Sequence, residues 1–359
     1  MLREIVRPGA VYPRGMGSAA RWLFALAVLL TSTGCTWMRY VTQASAGQED
    51  LSRRAVDIAP LLERDIDHKK KALLERIAPI KAFGERHGLR PTRNYTKYVN
   101  LQRPQVIWVV TACDPLRFRP KSFWFPVVGS ISYLGWFDRK DADAFGGDLR
   151  KDGWDVDIRP SHAYSTLGWF EDPVLSTMFS DGEGAIGELA NVILHESLHA
   201  TFYVPGQSTL NESVASFFGD KLALVYLKEI GGEEGTEAKL YVEGEKSREK
   251  RAELMRGTYL ALETLYASRL PRAEKLAKKA HLLRELRASL RVGRPITNAT
   301  LIQYKTYGSG KAELETLLDR CGGNFQRLLG HLEGARKHAT KSHTDPAEIL
   351  RPLLSEPCR

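Results

Sequence analysis

The sequence contains few cysteines and no long apolar segment. Only four of its 359 residues are cysteine, and none stands in a C-x-x-C pair, which excludes a zinc module built on that spacing. The apolar run of residues 22–30 has nine members, fewer than the roughly 20 that a helix needs to cross a bilayer. The sequence also contains no internal repeat.

Positive charge is in excess, with a net charge of +9, but it is not concentrated in a patch. Lysines and arginines are interspersed with glutamates, as in residues 243–256 and 284–291. Such mixing is typical of the solvated face of a helix rather than of a surface that binds phosphates. We therefore expect no nucleic-acid partner.

The most informative motif is H-E-x-x-H at residues 195–199. It lies within the apolar stretch 189–202, which favours a buried helix. Because residues four apart share one face of a helix, His195 and His199 can ligate the same metal ion. Glu196 lies beside them, where a general base for water activation is needed. The pattern predicts a zinc hydrolase, and we expect a peptidase.

A catalytic zinc ion usually has three protein ligands and one open position, so a third ligand must come from outside the motif. Glu212 is the best candidate, because Pro205-Gly206 can reverse the chain and return a second helix to the histidines. The competing interpretation is a capping box, in which Thr209 caps the helix and Glu212 reaches back to its first backbone N–H. At this stage both roles of Glu212 are open.

Three further blocks of sequence accompany the metal motif. They are Tyr40-x-x-Gln43-Ala44-x-x-Gly47-Gln48-x-x-Leu51, Val127-x-Gly129-x-x-x-Tyr133-x-Gly135-x-Phe137-Asp138 and Ala163-Tyr164-Ser165-Thr166-Leu167-Gly168-Trp169-Phe170-x-Asp172-Pro173. With Asn211-Glu212-x-x-Ala215-x-Phe217, they make residues 40–230 resemble a family of bacterial aminopeptidases, zinc-dependent lipoproteins of the glutamate-zincin type. The resemblance implies a peptide substrate and a Zn²⁺ ion held by His195, His199 and Glu212.

The block around Tyr164 supplies the expected substrate contacts. A tetrahedral oxyanion needs a hydrogen-bond donor, and Tyr164 is preferred over Tyr203 and His162 because it belongs to this family-like block. Packing within a sheet is the alternative role for Tyr164. Zincins commonly place an edge strand ahead of the metal helix, so we expect residues 164–169 to pair with an extended peptide. The predicted substrate-binding residues are Ser165, Thr166, Leu167 and Gly168.

The first 35 residues have the features of a bacterial secretion signal. Basic residues precede the short apolar run, and small residues lead to the Gly34-Cys35 junction. This junction resembles a lipobox, although Ser32 stands where that box normally has leucine, and an ordinary secreted protein is the alternative. We predict a mature chain that begins at a lipid-modified Cys35 and is anchored in the cell envelope. Thr36 is no inner-membrane retention signal, which favours the outer membrane facing the periplasm.

Three cysteines remain once Cys35 is assigned to lipid: Cys113, Cys321 and Cys358. An oxidising compartment favours disulfides, and an odd number of cysteines leaves at least one thiol unpaired. A bond between Cys321 and Cys358 is one option, which the sequence does not settle.

The remaining patterns predict an α+β fold of zincin type, with a small mixed sheet and a mainly helical C-terminal half. We divide the chain into a signal (1–35), one peptidase domain (36–337) and a loosely packed tail (338–359). Within the domain we expect a helical part (36–103), a sheet-containing part (104–187) and a helical zinc-binding part (188–337).

Individual elements follow from shorter patterns. Helical periodicity over residues 55–87 predicts a helix that Pro60 and Pro79 divide and Gly88 ends. A β-branched and aromatic run predicts a buried strand over residues 106–110. We also expect strands within 123–137, a short helix over 138–152, a strand over 154–158 and mostly helices over 188–332.

The expected reaction is hydrolysis of a peptide bond. Zinc would polarise the carbonyl and acidify a water molecule, and Glu196 would transfer the water proton to the leaving nitrogen. A cell-wall amide is an alternative substrate for the same chemistry. From a different class of function, a non-catalytic lipoprotein with a binding or scaffolding role is the competing hypothesis.

Overall fold

The computed structural model of the chain describes residues 38–125, 129–164, 171–304, 308–339 and 345–358. A first helix, α1, covers residues 38–54. The chain divides into two units inside this helix, between Glu49 and Asp50, and all further elements belong to the second unit. Among the described residues, no helix is both long enough and apolar enough to cross a membrane.

The second unit is an α+β structure with far more helix than strand. Its helices are α2 (Ile58–Leu62), α3 (His68–Arg86), α4 (Arg139–Lys151), α5 (Ala185–Thr201), α6 (Ser208–Gly231), α7 (Thr236–Ala267), α8 (Arg272–Ser289), α9 (Asn298–Leu301), α10 (Lys311–Arg320), α11 (Phe325–Leu332), α12 (Ala335–His338) and α13 (Pro346–Leu350). Single 3-10 turns cover Ser176–Met178, Ile302–Tyr304 and Arg351–Ser355. The predicted α+β class is confirmed, and most of the helix lies in the C-terminal half as expected.

Within the described residues, the strands form three small sheets. They are β1 (Val56–Asp57), β2 (Lys97–Val99), β3 (Ile107–Cys113), β4 (Phe123–Phe125), β5 (Gly129–Ile131), β6 (Tyr133–Trp136), β7 (Asp155–Ser161) and β8 (Val174–Leu175). The sheet orders are β1-β2-β8, β6-β3-β7 and β4-β5. In the second sheet, Val109 of β3 lies opposite both Gly135 of β6 and Arg159 of β7. Directly opposed residues of antiparallel strands project from the same face, so Val109 and Arg159 share one face of this sheet.

Several sequence predictions for this region are confirmed. Strand β3 contains nearly all of the predicted strand 106–110 and continues to Cys113. Helix α4 begins where expected, since the carboxylate of its N-cap Asp138 accepts a hydrogen bond from the backbone N–H of Lys140 (2.6 Å). Tyr164, the one described residue of the predicted strand 164–169, lies outside any strand.

The prediction of one divided helix over residues 55–87 is wrong in two respects. Val56–Asp57 forms β1 and pairs with β2, so the helical region begins later. Pro79 does not divide α3, which continues to Arg86 and ends before Gly88 (φ +96°). The helix persists through the proline because its apolar face is packed in the core, through Leu74, Ile77, Ile80 and Phe83.

Helices α5 and α6 form a buried hairpin at the centre of the core. The fully buried residues of this hairpin include Leu189, Ile193, Leu194, Leu198, Leu210, Val214, Phe218 and Leu222. The two helices approach closely at Gly219, where an added Cβ would lie 3.1 Å from Cβ of His195 and 3.2 Å from the carbonyl oxygen of Asn191. The absence of a side chain at this glycine therefore lets α6 pack directly against the histidine of α5.

A buried polar network joins the helical half to β7. The ammonium group of Lys279 on α8 forms an ion pair with Asp155 and donates a hydrogen bond to the carbonyl of Pro115 (2.9 Å). The same Asp155 carboxylate accepts a hydrogen bond from the backbone N–H of Asn298 (3.0 Å). Lys279 is only 7% exposed, so these partners rather than water stabilise its charge.

We expect Lys279→Met to lower the free energy of unfolding by about 3–5 kcal/mol, because it leaves the Asp155 carboxylate without its cation. Urea unfolding followed by circular dichroism measures this quantity. Lys278 provides the matched control, since its ion pair with Glu274 lies at the surface. Lys278→Met should cost less than about 1 kcal/mol. Equal losses in the two variants would contradict the role given to the network.

Residues 345–358 belong to the core, in contrast to the loose packing expected for residues 338–359. The side chains of Ile349, Leu350 and Leu353 are fully buried, and Cys358 forms a disulfide with Cys321. Pro346 stands in the first turn of α13, where proline is well tolerated. The disulfide is the option that the sequence had left open, and Cys113 is a free, buried cysteine.

Candidate metal centre

The turn between α5 and α6 brings the predicted ligands together. Helix α5 ends at Thr201, and α6 begins at Ser208. The buried amide of Asn211 accepts a hydrogen bond from the backbone N–H of Val204 (2.8 Å) and donates one to its carbonyl (2.9 Å). These two hydrogen bonds fix the turn against the start of α6.

The imidazoles of His195 and His199 and the carboxylate of Glu212 converge. Their ligand atoms all lie within 4.8 Å of one another. Nε2 of His195 is 3.5 Å from Oε2 of Glu212, and Nε2 of His199 is 3.6 Å from Oε1. Two ligands of a tetrahedral zinc ion, each about 2.0–2.1 Å from the metal, are separated by roughly 3.3 Å. The three residues therefore fit a Zn²⁺ ion in both donor type and spacing.

The capping box that competed for Glu212 does not form. Helix α6 begins at Ser208 with Gln207 as its N-cap, and no side-chain cap hydrogen bond is present at this described helix start. Thr209 consequently lies inside the helix, and Glu212 is a full turn beyond its start. The Glu212 carboxylate faces the two histidines instead.

The charges of the three side chains favour a bound cation. Burial lowers the pKa of His199 to about 4, so its ring is neutral at pH 7 and in the form that ligates metals. Partial burial raises the pKa of Glu212, but the two histidines and Arg159 together lower it by more. The net shift of this pKa is downward. The Glu212 side chain is 53% exposed, so the anionic side of the centre is open to solvent.

A protein-family model described as putative aminopeptidase matches residues 39–345 of the chain. The chain belongs to this family. No curated protein and no solved structure gave a match. The matched region includes the hairpin of α5 and α6, so the family assignment covers the whole candidate centre of this aminopeptidase-family protein.

Glu196, the predicted general base of this aminopeptidase-family protein, is half-buried next to His195. A tyrosine not singled out from the sequence lies near it. Burial, together with the charges of Glu196 and Asp172, raises the pKa of the Tyr95 hydroxyl well above its ordinary value. This buried hydroxyl has no hydrogen-bond partner in the described part of the chain. The backbone of Tyr95 has φ +62°, and its N–H donates to the Asp172 carbonyl (2.7 Å); no sequence motif marks such a residue.

The three tyrosine and histidine candidates for oxyanion binding lie in different places. Burial raises the pKa of Tyr203, and the charge of Glu212 raises it further. Tyr164 is half-buried and packs edge-on against Phe137, with 5.4 Å between ring centroids. His162 lines a cavity beside Ala185, ten residues and so about 15 Å along α5 from His195. The assignment of Tyr164 stays a prediction.

Two sets of predicted residues lie outside the described part of the family member. The substrate-binding residues Ser165, Thr166, Leu167 and Gly168 fall in the gap between residues 164 and 171. The lipidation residue Cys35 precedes the first described residue. Their roles stay predictions from the sequence.

A polar cluster behind His195 was missed by the sequence analysis. The side chain of Asn191 on α5 donates hydrogen bonds to Asp220 of α6 (2.7 Å) and to the Tyr241 hydroxyl of α7 (2.8 Å). Burial raises the pKa of Asp220 to about 6. Burial lowers the pKa of His195, but the carboxylates around it, including Asp220, raise it more. Asp220 directly follows the close-packed Gly219, but neither residue belongs to a recognisable metal motif.

The raised pKa of Asp220 predicts an unusual pH dependence. Its folded value of about 6 lies above the ordinary 3.8, so its contribution to stability is complete below pH 3.8 and is lost as the pH rises through about 6. Without bound metal, Asp220→Asn should therefore be more stable than wild type at pH 8, by up to about 3 kcal/mol, and equally stable near pH 4. Urea unfolding at both pH values tests this, with the exposed Asp65→Asn as control. A variant that is less stable at pH 8 would contradict it.

Proposed function

We propose that this member of the aminopeptidase family is a zinc-dependent peptidase of zincin-like fold that acts as an aminopeptidase. The observation that carries the proposal is the convergence of His195, His199 and Glu212, with Glu196 beside them, in one buried hairpin. Membership of the family independently supports peptidase activity. Two imidazoles and one carboxylate are a common ligand set of catalytic zinc.

In the proposed hydrolysis, different residues hold the metal, transfer the proton and stabilise the oxyanion. A Zn²⁺ ion held by His195, His199 and Glu212 would act as a Lewis acid towards the scissile carbonyl and would bring the pKa of water towards 7. Glu196 accepts the proton of the attacking water and delivers it to the leaving nitrogen. Tyr164 donates a hydrogen bond to the oxygen on which negative charge develops, with Tyr203 as the alternative donor.

Digestion of a mixed peptide library by the purified, zinc-loaded protein tests the proposal. Removal of single N-terminal residues is expected, detected by mass spectrometry as products shortened by one residue at a time. A chelator should stop the reaction, and added zinc should restore it. Cleavage within peptides would retain the peptidase but overturn the aminopeptidase assignment. No zinc-dependent cleavage, together with no zinc uptake on titration, would favour the non-catalytic lipoprotein.

We also propose that the mature chain begins at a lipid-modified Cys35 and is anchored in the cell envelope, at the outer membrane facing the periplasm. The lipobox-like Gly34-Cys35 junction supports this location. Wild-type protein should incorporate a labelled fatty acid and fractionate with membranes, whereas Cys35→Ser should do neither. Cys113→Ser, which alters a buried thiol, should behave as wild type. Wild-type protein that takes up no label would refute lipidation.

A further inference from the structure

Arg159 projects from the sheet towards the helices that carry the metal ligands. It lies opposite Val109 in the strand register, and Val109 is part of the same hydrophobic core as Leu194 of α5 and Val214 of α6. The opposite face of the sheet is covered by α4, where a Cβ at Gly146 would contact Ile158 and Val156. Because side chains alternate along a strand, Arg159 points away from α4 and towards the hairpin.

The guanidinium of Arg159 has no hydrogen-bonded or ion-paired partner in the part of the chain that the structure describes, although the residue is half-buried. Asp157, two residues along the same face of β7, is already bound by Arg294 (2.6 Å) and by the Thr300 hydroxyl (3.1 Å). A partly buried arginine usually has an acceptor, because the loss of hydration is otherwise uncompensated.

Arg159 belongs to a cluster of cations beside the metal ligands. Its charge acts on the Glu212 carboxylate, so the two groups lie near each other. Burial raises the pKa of the Tyr304 hydroxyl, and the charges of Arg159, Arg294 and Arg251 oppose that rise. We call Arg159, Arg251 and Arg294 the arginine cluster; its members come from the sheet, from α7 and from the segment before α9.

Arg159 works against a bound cation unless an anion joins it. A guanidinium near Glu212 repels a divalent metal and reduces the negative potential that the ligand provides. The planar fork of an arginine matches a carboxylate, which it can bind through two parallel hydrogen bonds. The ionised groups of an unmodified peptide that could fill this place are its carboxylates.

We propose that Arg159, supported by Arg251, determines specificity by binding a carboxylate of the peptide substrate next to the metal centre. The inference rests on the proposed peptidase function and names its substrate class, which is peptides with a carboxylate within reach of the scissile bond. The carboxylate has two sources, the C-terminal α-carboxylate of a short peptide or an Asp or Glu side chain. The substrate comparison below distinguishes them.

The test uses zinc-loaded full chain and a matched set of short peptides. One pair has the same sequence with a free C-terminus or a C-terminal amide, and a second pair has Glu or Gln next to the scissile bond. Wild type should prefer one or both carboxylate members by about 10- to 100-fold in kcat/KM, as expected for a charge-assisted hydrogen bond. The pair that shows the preference identifies the source of the carboxylate.

Arg159→Gln should remove this preference by slowing the carboxylate peptides, while the neutral peptides and the zinc content stay unchanged. Arg159→Lys, which keeps the charge but not the planar fork, should retain part of it. The matched control is Arg150→Gln, because Arg150 is exposed on α4 over the other face of the sheet. Equal rates on all four peptides in wild type, or an unchanged preference in Arg159→Gln, would overturn the inference.

Binding to zinc-loaded Glu196→Gln protein separates this inference from the proposed function. The same peptides, titrated by calorimetry, should bind more tightly when they carry the carboxylate, and the added substitution Arg159→Gln should abolish that difference. If wild type hydrolyses nothing but this difference in binding is present, the peptidase proposal fails and the carboxylate site stands. If hydrolysis occurs but the carboxylate confers no advantage in binding, the carboxylate site fails and the peptidase proposal stands.

Discussion

Glu196→Gln should lower the rate of peptide hydrolysis by about 10²–10⁴-fold while the protein keeps its zinc. Glutamine has nearly the same shape as glutamate, but its amide cannot accept the proton of the attacking water. None of the three metal ligands is altered, so the metal content, measured by inductively coupled plasma mass spectrometry, should equal that of wild type. Initial rates on a peptide identified in the library digest measure the loss.

Glu188→Gln is the matched control, because Glu188 is an exposed glutamate in the first turn of the same helix. It should leave both rate and zinc content at wild-type values. Turnover near wild type in Glu196→Gln would show that another group is the base. If Glu196→Gln instead lost zinc, Glu196 would be needed to hold the metal site rather than only to transfer the proton.

His199→Ala should abolish stoichiometric zinc binding and, with it, all hydrolysis. His199 is 6% exposed, and its Nε2 atom lies 3.6 Å from the Glu212 carboxylate. Its removal leaves only His195 and Glu212, and two ligands rarely retain zinc against water and buffer. Zinc added to wild type should raise the melting temperature, because it binds the folded state, whereas the variant should show no such rise.

The control for this prediction is His281→Ala. His281 is an exposed histidine of α8 that pairs with Glu285, so its loss should change neither zinc content nor the zinc-dependent rise in melting temperature. Unaltered zinc binding in His199→Ala would contradict the three-residue centre. If His199→Ala does not fold, His199→Gln takes its place. Glutamine keeps more of the buried volume and is likewise expected to bind no zinc.

Local sequence patterns predicted those helices and strands that have a clear periodicity of apolar residues or a clear residue signal at one end. Strand β3 was found because a β-branched run is a property of a few adjacent residues, and the cap at Asp138 likewise makes the start of α4 a local feature. Tertiary packing decided the failures. Pro79 is tolerated because the buried face of α3 outweighs a lost backbone hydrogen bond, and the buried Ile349 and Leu350 have no periodic neighbours that would mark them as core.

The convergence of His195, His199 and Glu212 was predictable because the two histidines lie one helical turn apart and the glutamate follows a chain reversal. The position of Glu212 opposite the histidines required only the turn at Pro205-Gly206, which the Asn211 amide fixes. Tyr95 and Arg159 were not predictable from spacing. Strand register places Arg159, and tertiary structure buries the Tyr95 hydroxyl near Glu196; neither is encoded by adjacent residues.

The hairpin of α5 and α6 has a consequence for the order of folding. Its ligands are all supplied between residues 195 and 212, whereas Val109 and Arg159 are paired across a long stretch of chain. Contacts close in sequence generally form faster than distant ones. In refolding from denaturant, we therefore expect the hairpin to bind Zn²⁺ early. The proposed preference for a substrate carboxylate should appear later, when β3 and β7 pair and position Arg159.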